Sequence, residues 1–472
     1  MKHTKTLLKH TRIIGHSPFS IKILVIQIML LASLNSCSEF VAVDPPKNIL
    51  VSETVFKDAA TVESALANIY YTLRNQGMVS YNISADMGIY ADELDYYSSN
   101  ADKLSIYLHS MTPINSRASY YWTNTYALIY AANDILEGLA SSETLSSDEI
   151  AIYKGQALFI RAYLHFILIN IYGDVPLVTS TDYLTNNSIE RSATAVVYDT
   201  IIEDLKRAVN LLNSEDLTGE HVIPNKAVAN ALLGRVYLYT ENWELAEETS
   251  SLLIDEFELE SDLSKVFLKE SRETIWQFKS DPANVRNTYE ATQFIIQAIP
   301  GNSYALSDSL LSVFELEDER LKQWVGSFTS GDGLTTLHFP YKYKAPLSEE
   351  ETLEYSVVFR LAEQFLIRAE AKAQQGNIVG SQNDLNRIRL RAGLGKTTAA
   401  TKETLLSAIL DERFMELFSE QGHRWFDLKR TGKAGAILEL VKPNWKLTDV
   451  LWPVPEAEIE RNANLLPQNT GY

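Results

Sequence analysis

The spacing of apolar residues along the chain predicts a mostly helical protein. Apolar side chains recur every three or four residues through several long segments, which is the period of an amphipathic helix. The first four predicted helices cover Lys57–Asn75, Ser119–Ala140, Ser146 to about Tyr172, and Ala195–Leu212. The third begins with a capping box, Ser-Ser-Asp-Glu, and is apolar on nearly every side, so we expect it to be buried.

Two later segments each predict a pair of helices joined by a short turn. The first pair is Lys226–Thr240 with Trp243–Phe257, and the second is Phe359–Gln375 with Gly380–Arg391. Small residues recur where paired helices approach each other: Ala227, Ala231, Gly234, Ala246, Ala362, Ala369, Ala371 and Ala373. Such pairs are typical of tetratricopeptide repeats, but here they do not follow the roughly 34-residue period of a plain array. Long insertions therefore separate the pairs.

Two insertions lack helical periodicity. Gly77–Asn100 is rich in Tyr, Asp and Ser, and we predict a loop there. Asp262–Leu353 contains short apolar runs and a glycine turn, which predict short strands and long loops. Binding residues tend to lie on loops that a rigid scaffold carries. We therefore expect ligand contacts in these two insertions.

The segment Asp411–Arg430 predicts a helix, a sharp break at Gly422 and a second short helix. Glycine tolerates the left-handed turn that ends many helices, so we expect Gly422 to end the first one. Glu412 and Glu416 lie four residues apart on one face, an unfavourable pair when isolated. We interpret them as part of a partly buried ion network rather than as catalysts. The cations expected to fold back onto them are Arg424, Lys429 and Arg430.

The charge and the cysteine content narrow the possible functions. The chain has a formal net charge of −19, a poor surface for nucleic acid or anionic lipid. Its only cysteine, Cys37, has no partner for an intrachain disulfide or a cysteine-based metal site. Cys37 follows a basic leader and the apolar run Ile23–Leu34, too short for a bilayer span of about 20 residues.

Leu34-Asn35-Ser36-Cys37 resembles a lipobox, the bacterial signal that is cut before a lipid-modified cysteine. We therefore predict a lipoprotein signal peptide over residues 1–36, a lipidated tether over residues 37–51, and one main domain over residues 52–472. Cys37 is the predicted lipidation site. The mature chain would be anchored to a membrane by lipid without crossing it.

Motifs for catalysis, metals and cofactors are absent from the sequence. The run Ala392–Thr397 resembles a phosphate loop, but Leu390 stands where that motif needs its first glycine. The histidines are scattered, and neither H-E-x-x-H nor G-x-S-x-G occurs. Arg161 and His165 are expected to be satisfied polar groups in a helix interface. We predict no catalytic residue, no metal, no cofactor and no enzyme.

Ligand binding is the function that remains. Sugars and peptides are held by aromatic faces together with a few hydrogen-bonding side chains. The predicted aromatic platforms are Tyr81, Tyr96, Tyr97, Trp276, Tyr289 and Tyr304. The predicted polar contacts are Arg74, Asn82, Asp92 and Arg286.

Five ordered segments resemble one known family. They are Arg161–Leu177, Lys226–Ala246, Phe359–Leu394, Asp411–Arg430 and Trp452–Tyr472. They are similar to the SusD/RagB family, the surface nutrient-binding lipoproteins of Bacteroidetes-type bacteria. The last segment departs slightly, because it ends in Asn-Thr-Gly-Tyr where the family more often has Asn-Pro-Gly-Tyr.

The resemblance implies a mostly α fold, with tetratricopeptide-like hairpins packed against a loop-rich ligand-binding region that holds small β elements. It implies a lipid-anchored protein on the surface of the outer membrane. That protein would capture a nutrient, most often an oligosaccharide, and deliver it to a SusC-like TonB-dependent transporter. Two alternatives stay open: peptide capture, as in RagB-like members, and a helical-repeat interaction scaffold without a small ligand.

Overall fold

Helices make up most of the described chain. The structure is a computed structural model, and it describes residues 56–281, 286–301 and 304–472. The described residues belong to one compact unit, Ser52–Tyr472. The predicted signal peptide, the tether and the lipidation candidate Cys37 lie outside the described residues.

The helices of the first half are α1 (Ala59–Gln76), α2 (Tyr81–Tyr90), α3 (Ala101–Tyr107), α4 (Ser116–Ala140), α5 (Ser147–Tyr172), α6 (Tyr183–Asn186), α7 (Thr194–Leu211), α8 (Lys226–Tyr239) and α9 (Trp243–Glu256). Those of the second half are α10 (Tyr289–Phe294), α11 (Asp308–Leu311), α12 (Glu319–Trp324), α13 (Leu361–Gln374), α14 (Ile378–Arg391), α15 (Lys402–Leu417), α16 (His423–Arg430), α17 (Ala434–Val441) and α18 (Glu456–Arg461). Two 3₁₀ turns, Leu447–Val450 and Ala463–Leu465, complete the helical elements.

The described strands are short and form antiparallel pairs. They are β1 (Leu94–Tyr96), β2 (Val175–Pro176), β3 (Arg191–Ser192), β4 (Thr274–Phe278), β5 (Tyr304–Leu306), β6 (Val325–Thr329), β7 (Thr336–Pro340) and β8 (Ser356–Arg360). The pairs are β1–β5, β2–β3, β4–β8 and β6–β7. Strands β4 and β8 are buried throughout, whereas β6 and β7 form a partly exposed hairpin.

The two predicted helical hairpins are confirmed as α8–α9 and α13–α14. Successive helices pack side by side from α4 through α5, α7, α8 and α9 to α13, and α13 also contacts α15. Gly234 shows why small residues are needed between them. A Cβ atom there would lie 3.2 Å from Gln364 Oε1 and 3.3 Å from Ser250 Oγ. The helices can therefore approach only because this side of α8 is small.

Helix α5 is the buried helix that the sequence predicts. Its capping box is formed between Ser146 and Glu149, and the helix is buried from Gly155 to its end. Arg161 makes a bidentate ion pair with Asp204 of α7, at 2.7 Å for both bonds. This satisfied contact between two helices confirms the structural interpretation of Arg161.

The prediction of a loop over Gly77–Asn100 is wrong. This insertion holds α2, which is buried along most of its length, and the strand β1. Ile83, Met87 and Ile89 are fully buried, so the segment belongs to the core. The polar residues of this segment favoured the prediction of a loop, but they have hydrogen-bond partners inside the protein. The Ser84 hydroxyl, for example, donates to the Ser80 carbonyl at 2.8 Å.

The break after α15 also differs from the prediction. Helix α15 ends at Leu417, and Gly422 precedes α16 in the left-handed conformation, with φ of 74°. A Cβ atom on Gly422 would lie 2.7 Å from the Cβ atom of Met87. Gly422 therefore does not end α15. It allows α16 to begin in close contact with α2.

The ion network around Glu412 and Glu416 is present, but its partners differ from those predicted. Both carboxylates are fully buried. Their cations come from distant segments: Arg320, Arg360, Arg389 and Arg391. The three predicted cations bind elsewhere, Arg424 to Asp92, Arg430 to Asp427 and Glu370, and Lys429 to the carbonyl of Asn170.

No helix in the described part of the chain combines the length and the apolar character that crossing a membrane requires.

Candidate ligand-binding site

The site begins where α1 turns directly into α2. Gly77 ends α1 with a positive φ of 61°, and this tight turn brings Tyr81 back against the end of α1. A Cβ atom on Gly77 would lie 2.6 Å from the Tyr81 ring, so only glycine leaves room for it. The Tyr81 hydroxyl donates to the carbonyl of Asn75 at 2.6 Å, and Asn82 Nδ2 donates to that of Gln76 at 2.8 Å. These bonds hold both predicted side chains in place.

The first turn of α4 supplies the opposite wall. The Asn115 side chain caps this helix by accepting from the backbone N–H of Arg117 at 2.8 Å. Arg117 and Tyr120 then follow three residues apart, on one face. The Tyr120 hydroxyl donates to the Gln76 carbonyl, and the Arg117 guanidinium lies over the Tyr120 ring, 4.2 Å from its centroid.

A buried carboxylate organises the cations beneath this wall. Arg117 Nε donates to Asp86 Oδ2 at 2.7 Å, and the Tyr121 hydroxyl donates to the same oxygen at 2.9 Å. Lys103 Nζ lies 3.9 Å from the other oxygen of Asp86 and donates to the Tyr304 hydroxyl at 2.5 Å. Asp86 therefore fixes the orientation of both cations.

Two aromatic pairs complete the arrangement. Tyr289, at the start of α10, lies with its ring centroid 4.9 Å from that of Tyr81, because α10 packs on α2. Pairing of β1 with β5 sets Tyr96 opposite Tyr304, with ring centroids 5.4 Å apart. Each pair joins the second predicted insertion to the first.

We call this set of side chains the polar aromatic cluster. Its members are Arg74, Tyr81, Asn82, Lys103, Arg117, Tyr120, Tyr289 and Tyr304. All but Arg74 and Tyr304 are half-buried, which leaves part of each side chain open to solvent while the rest is held by neighbours. An arrangement of this kind is prepared for a ligand, because little side-chain entropy is lost on binding.

Burial and charge shift the titration of the cluster. Burial would lower the pKa of Arg117, but its contact with Asp86 raises that pKa above the ordinary value. Burial lowers the pKa of Lys103, and Asp86 only partly opposes this. Burial also raises the pKa of Tyr81 and Tyr304 above the ordinary tyrosine value. The hydroxyls of Tyr81 and Tyr304 are therefore neutral hydrogen-bonding groups at physiological pH.

The structure brings some of the predicted site residues together and separates others. Tyr81, Asn82 and Tyr289 lie in the cluster and are partly open to solvent. Tyr304, at 4% exposure, and Arg74, at 7%, are buried and support the cluster from behind. Arg74 donates from Nη1 to the carbonyl of Lys279 at 2.6 Å and lies close to Tyr289. Tyr96 packs behind Tyr304 and is 7% exposed. Tyr97 is 58% exposed but lies beside Asp95 and Asp308, away from the cluster's contacts. Arg286 is exposed and donates from Nη1 to the carbonyl of Glu350 at 3.4 Å, outside the cluster.

The prediction that Trp276 and Asp92 contact a ligand needs correction, because the core encloses both side chains. Trp276 has no exposed surface and packs edge-on against Phe159 and Phe278, with ring centroids 5.2 Å and 4.9 Å away. The Asp92 carboxylate is buried in a bidentate pair with Arg424, at 2.7 Å and 2.6 Å. Neither side chain offers a surface to a ligand.

Lys103, Arg117 and Tyr120 were not predicted as site residues. A signal for two of them exists in the sequence: Arg117 and Tyr120 follow the capping residue Asn115 at a spacing that sets them on one helical face. No pattern in the neighbouring sequence predicts Lys103 as a site residue, because its contacts with the cluster are those with Asp86 and Tyr304.

The cluster is suited to binding. The carboxylate of Asp86 is taken up by its contacts with Arg117 and Lys103. No group of three or more His, Cys, Asp or Glu that could hold a metal occurs among the described residues. Aromatic faces beside fixed polar groups are the usual composition of a small-molecule binding site.

Two family models match separate parts of the chain. One, a SusD-like model described as starch-binding and associating with the outer membrane, matches residues 39–238. The SusD family model matches residues 329–472. The SusD-like protein P2 of Formosa agariphila is 25% identical, over 94% of this chain and 98% of that protein. A SusD-like protein of Bacteroides ovatus is 24% identical, over 83% of this chain and 79% of the relative.

Solved structures share the fold. The crystal structure of a SusD superfamily protein from Bacteroides vulgatus has a TM-score of 0.80 and 23% identity, covering 89% of this chain and 100% of the other. A laminarin-binding SusD-like protein has a TM-score of 0.74 and 22% identity, with coverage of 88% and 100%. Sequence identities this low support a shared fold but do not identify the ligand of this protein.

Proposed function

Since this chain belongs to the SusD/RagB family, we propose that it is a cell-surface lipoprotein that captures an oligosaccharide at the polar aromatic cluster. It then delivers the ligand to a SusC-like TonB-dependent transporter. Capture is an equilibrium binding step in which no bond is made or broken. The observation that carries the proposal is the cluster itself, in which tyrosine rings and fixed donors from separate segments meet on one half-buried surface.

Sugar binding fits the chemistry of this surface. The rings of Tyr81 and Tyr289 offer apolar faces to the C–H side of a pyranose ring, while Asn82, Lys103 and Arg117 can bond to its hydroxyl groups. Because Asp86 and backbone carbonyls already orient these groups, little side-chain entropy is lost when a ligand binds. The laminarin-binding structural neighbour supports a glycan ligand.

The charges of the cluster bear on the peptide alternative. The overall acidic chain would attract basic peptides weakly. At the cluster, however, Lys103 and Arg117 share one carboxylate, and a basic peptide there would meet like charge. A neutral glycan avoids this repulsion. Among peptides, the cluster would accept neutral or acidic ones better than basic ones.

Anchoring at the outer membrane is also part of the proposal. The outer-membrane association in the description of the matching family model supports the location. The lipobox-like sequence that ends at Cys37 supports attachment through lipid. Such an anchor would leave residues 52–472 free to face the transporter.

The decisive experiment is ligand binding by soluble protein that starts at Ser38. A panel of neutral, acidic and mixed glycans, together with mixed peptides, would be measured by calorimetry. The test variants are Tyr289→Ala and Asn82→Ala. Loss of one stacking ring is expected to weaken glycan binding roughly tenfold. The matched control is Tyr183→Ala, which removes a tyrosine that is 65% exposed and lies outside the cluster.

Saturable binding to one glycan class, weakened by Tyr289→Ala and unchanged by Tyr183→Ala, would support capture at the cluster. Binding to peptides alone would assign the protein to the RagB-like function. If the folded protein bound nothing in the panel, oligosaccharide capture by this chain would be contradicted.

A further inference from the structure

A second cavity lies apart from the polar aromatic cluster. It has a volume of about 570 Å³ and lies between α4, the segment after β2, and α18. This volume is within the range of about 300–1,000 Å³ that small-molecule sites occupy. We call it the α4 cavity. None of the predicted site residues lines it.

The two sites use different faces of α4. Tyr120 belongs to the cluster, whereas Trp122, two positions later, lines the cavity. Two positions along an α-helix correspond to a rotation of about 200°, so these side chains leave the helix on opposite sides. Tyr130, which also lines the cavity, lies about 15 Å from Tyr120 along the helix axis. A ligand in the cavity therefore does not occupy the cluster.

The aromatic wall of the cavity is held in place. The rings of Trp122 and Tyr126 lie 5.1 Å apart, and Trp122 also packs edge-on against Tyr172 at 5.1 Å. The Tyr126 hydroxyl donates to the carbonyl of Pro176 at 2.8 Å, which fixes its ring against the opposite wall. Tyr130, one turn later, is 49% exposed at the mouth of the cavity.

Amide side chains supply the polar part. Asn186 Nδ2 donates to the carbonyl of Ser180 at 2.9 Å, and Asn462 Nδ2 donates to that of Ile189 at 2.8 Å. Both amides are thus oriented by the backbone. The side chain of Asn187 and the hydroxyl of Tyr130 have no hydrogen-bond partner among the described residues. These two groups are available to a ligand.

The cavity carries no uncompensated formal charge. Its only charged lining residues, Glu458 and Arg461, pair with each other at 2.7 Å on one turn of α18. An ionic ligand would gain no opposite charge there. A purely apolar ligand that covered the Asn187 amide would leave it without a partner, at a cost in free energy.

We propose that the α4 cavity is a second carbohydrate site, which takes a neutral pyranose ring against Trp122, Tyr126 and Tyr130 and bonds it through Asn187. The choice of sugar as the ligand class rests on the proposed function. Two sites on one anchored protein would raise the avidity for a polymeric glycan, because the second contact forms at a high effective concentration.

The test uses the tryptophan of the cavity as its reporter. Protein that starts at Ser38 would be labelled with 5-fluorotryptophan, and the seven ¹⁹F signals resolved by NMR. Loss of one signal in the Trp122→Phe variant assigns the reporter. The probes are methyl β-glucopyranoside, methyl α-mannopyranoside and methyl β-galactopyranoside, with indole as an apolar comparison.

The Trp122 signal is expected to shift saturably with at least one glycoside. Tyr130→Ala should weaken that binding about three- to tenfold. Thr123→Phe, a substitution at an exposed position of α4 that lines the cavity, should abolish it. Tyr183→Ala is the control, because Tyr183 lies on α6 outside the cavity lining. Tyr289→Ala should leave the shift unchanged.

No shift with any glycoside would overturn the inference. So would a shift that both cavity variants leave intact, or a response to indole alone. The two proposals fail separately. Glycan binding that Tyr289→Ala weakens, without a Trp122 shift, keeps capture at the cluster and removes the second site. A Trp122 shift without glycan binding at the cluster keeps the second site and removes capture at the cluster.

Discussion

At the residue scale, the carboxyl group of Glu290 lies directly behind the polar aromatic cluster, next to Tyr289 in the chain. Burial raises the pKa of Glu290 to about 7, and a hydrogen bond from the Ser356 hydroxyl at 2.8 Å only partly opposes the shift. The group faces Glu354, whose pKa burial also raises to about 7, and the hydroxyl of Tyr343. Buried carboxyl groups close to the cluster therefore titrate near neutral pH.

This burial predicts a pH-dependent stability effect for Glu290→Gln. Because the folded pKa is above the ordinary value of 4.5, the folded state binds more protons between pH 4.5 and about 7. The stability contributed by the neutral acid is present below pH 4.5 and is lost as the pH rises through 7. Glutamine imitates the neutral acid. Above pH 7, the free energy of unfolding of Glu290→Gln should therefore be roughly 2–3 kcal/mol higher than that of the parent protein.

Urea unfolding of parent and variant across this pH range measures the difference, which should shrink toward zero near pH 4.5. The control is Glu317→Gln at an exposed glutamate, a surface substitution that should change the free energy of unfolding by less than about 0.5 kcal/mol. A difference for Glu290→Gln that stays constant across the range would show that Glu290 is charged throughout.

At the scale of elements, α15 is held by charges from three other segments. Glu416 accepts from Arg360 Nη1 at 2.6 Å and from Arg320 Nη1 at 3.0 Å, and it also pairs with Arg391. Burial alone would raise the pKa of Glu416, but these arginines hold it well below its usual range. The network thus joins α12, β8, α14 and α15 at one point.

Removing this carboxylate is expected to destabilise the fold strongly. Glu416→Gln leaves three buried arginines without their shared charge, and breaking such a buried network typically costs about 3–5 kcal/mol. Chemical denaturation at neutral pH measures the loss. The matched control is Glu319→Gln, which breaks an exposed pair with Lys322 at 2.6 Å and should cost less than about 1 kcal/mol. Equal losses for the two variants would contradict a dominant role for the buried network.

Helix α2 shows how one element can change the interpretation of a site. Its sequence, Tyr-Asn-Ile-Ser-Ala-Asp-Met-Gly-Ile-Tyr, has no apolar spacing of an amphipathic helix and is predicted to be part of a loop. Most of its side chains are nevertheless buried, and it positions Tyr81, Asn82 and Asp86 at once. The predicted ligand loop is therefore a rigid part of the core that presents the cluster at its amino-terminal end.

At the scale of the whole molecule, successive helices pack side by side from α4 to α13, and strands β4 and β8 contact this array. The proposed function requires an amino-terminal anchor that holds residues 52–472 at the membrane. Cys37 is the single position in the chain where such an anchor can form by lipidation of a thiol. Its removal is therefore the direct test of location.

Cys37→Ser is expected to release the protein from the membrane fraction and to prevent incorporation of labelled palmitate in a host that processes lipoproteins. Ser36→Ala is the control, since it keeps a small residue before the cysteine and should preserve both properties. Fractionation and metabolic labelling measure the two outcomes. Membrane association that survives Cys37→Ser would contradict lipid anchoring.

Periodicity and caps were enough to predict the helical frame. The bounds of α1, α5, α7 and both helical hairpins agree with the structure to within a few residues, because helix formation depends on neighbours in the sequence. The capping box at Ser146 follows from the same local rules. The resemblance at five motifs pointed to the family that the comparisons show.

Only the tertiary structure decided which side chains remain open and which charges pair. Tyr289 and Trp276 are both aromatic residues of one predicted insertion, yet Tyr289 is half-buried and Trp276 is enclosed by Phe159 and Phe278. Glu416 meets Arg320 across 96 residues of sequence, a pairing that no local spacing reveals. Exposure and ion pairing depend on long-range contacts, whereas helical periodicity is a property of the chain itself.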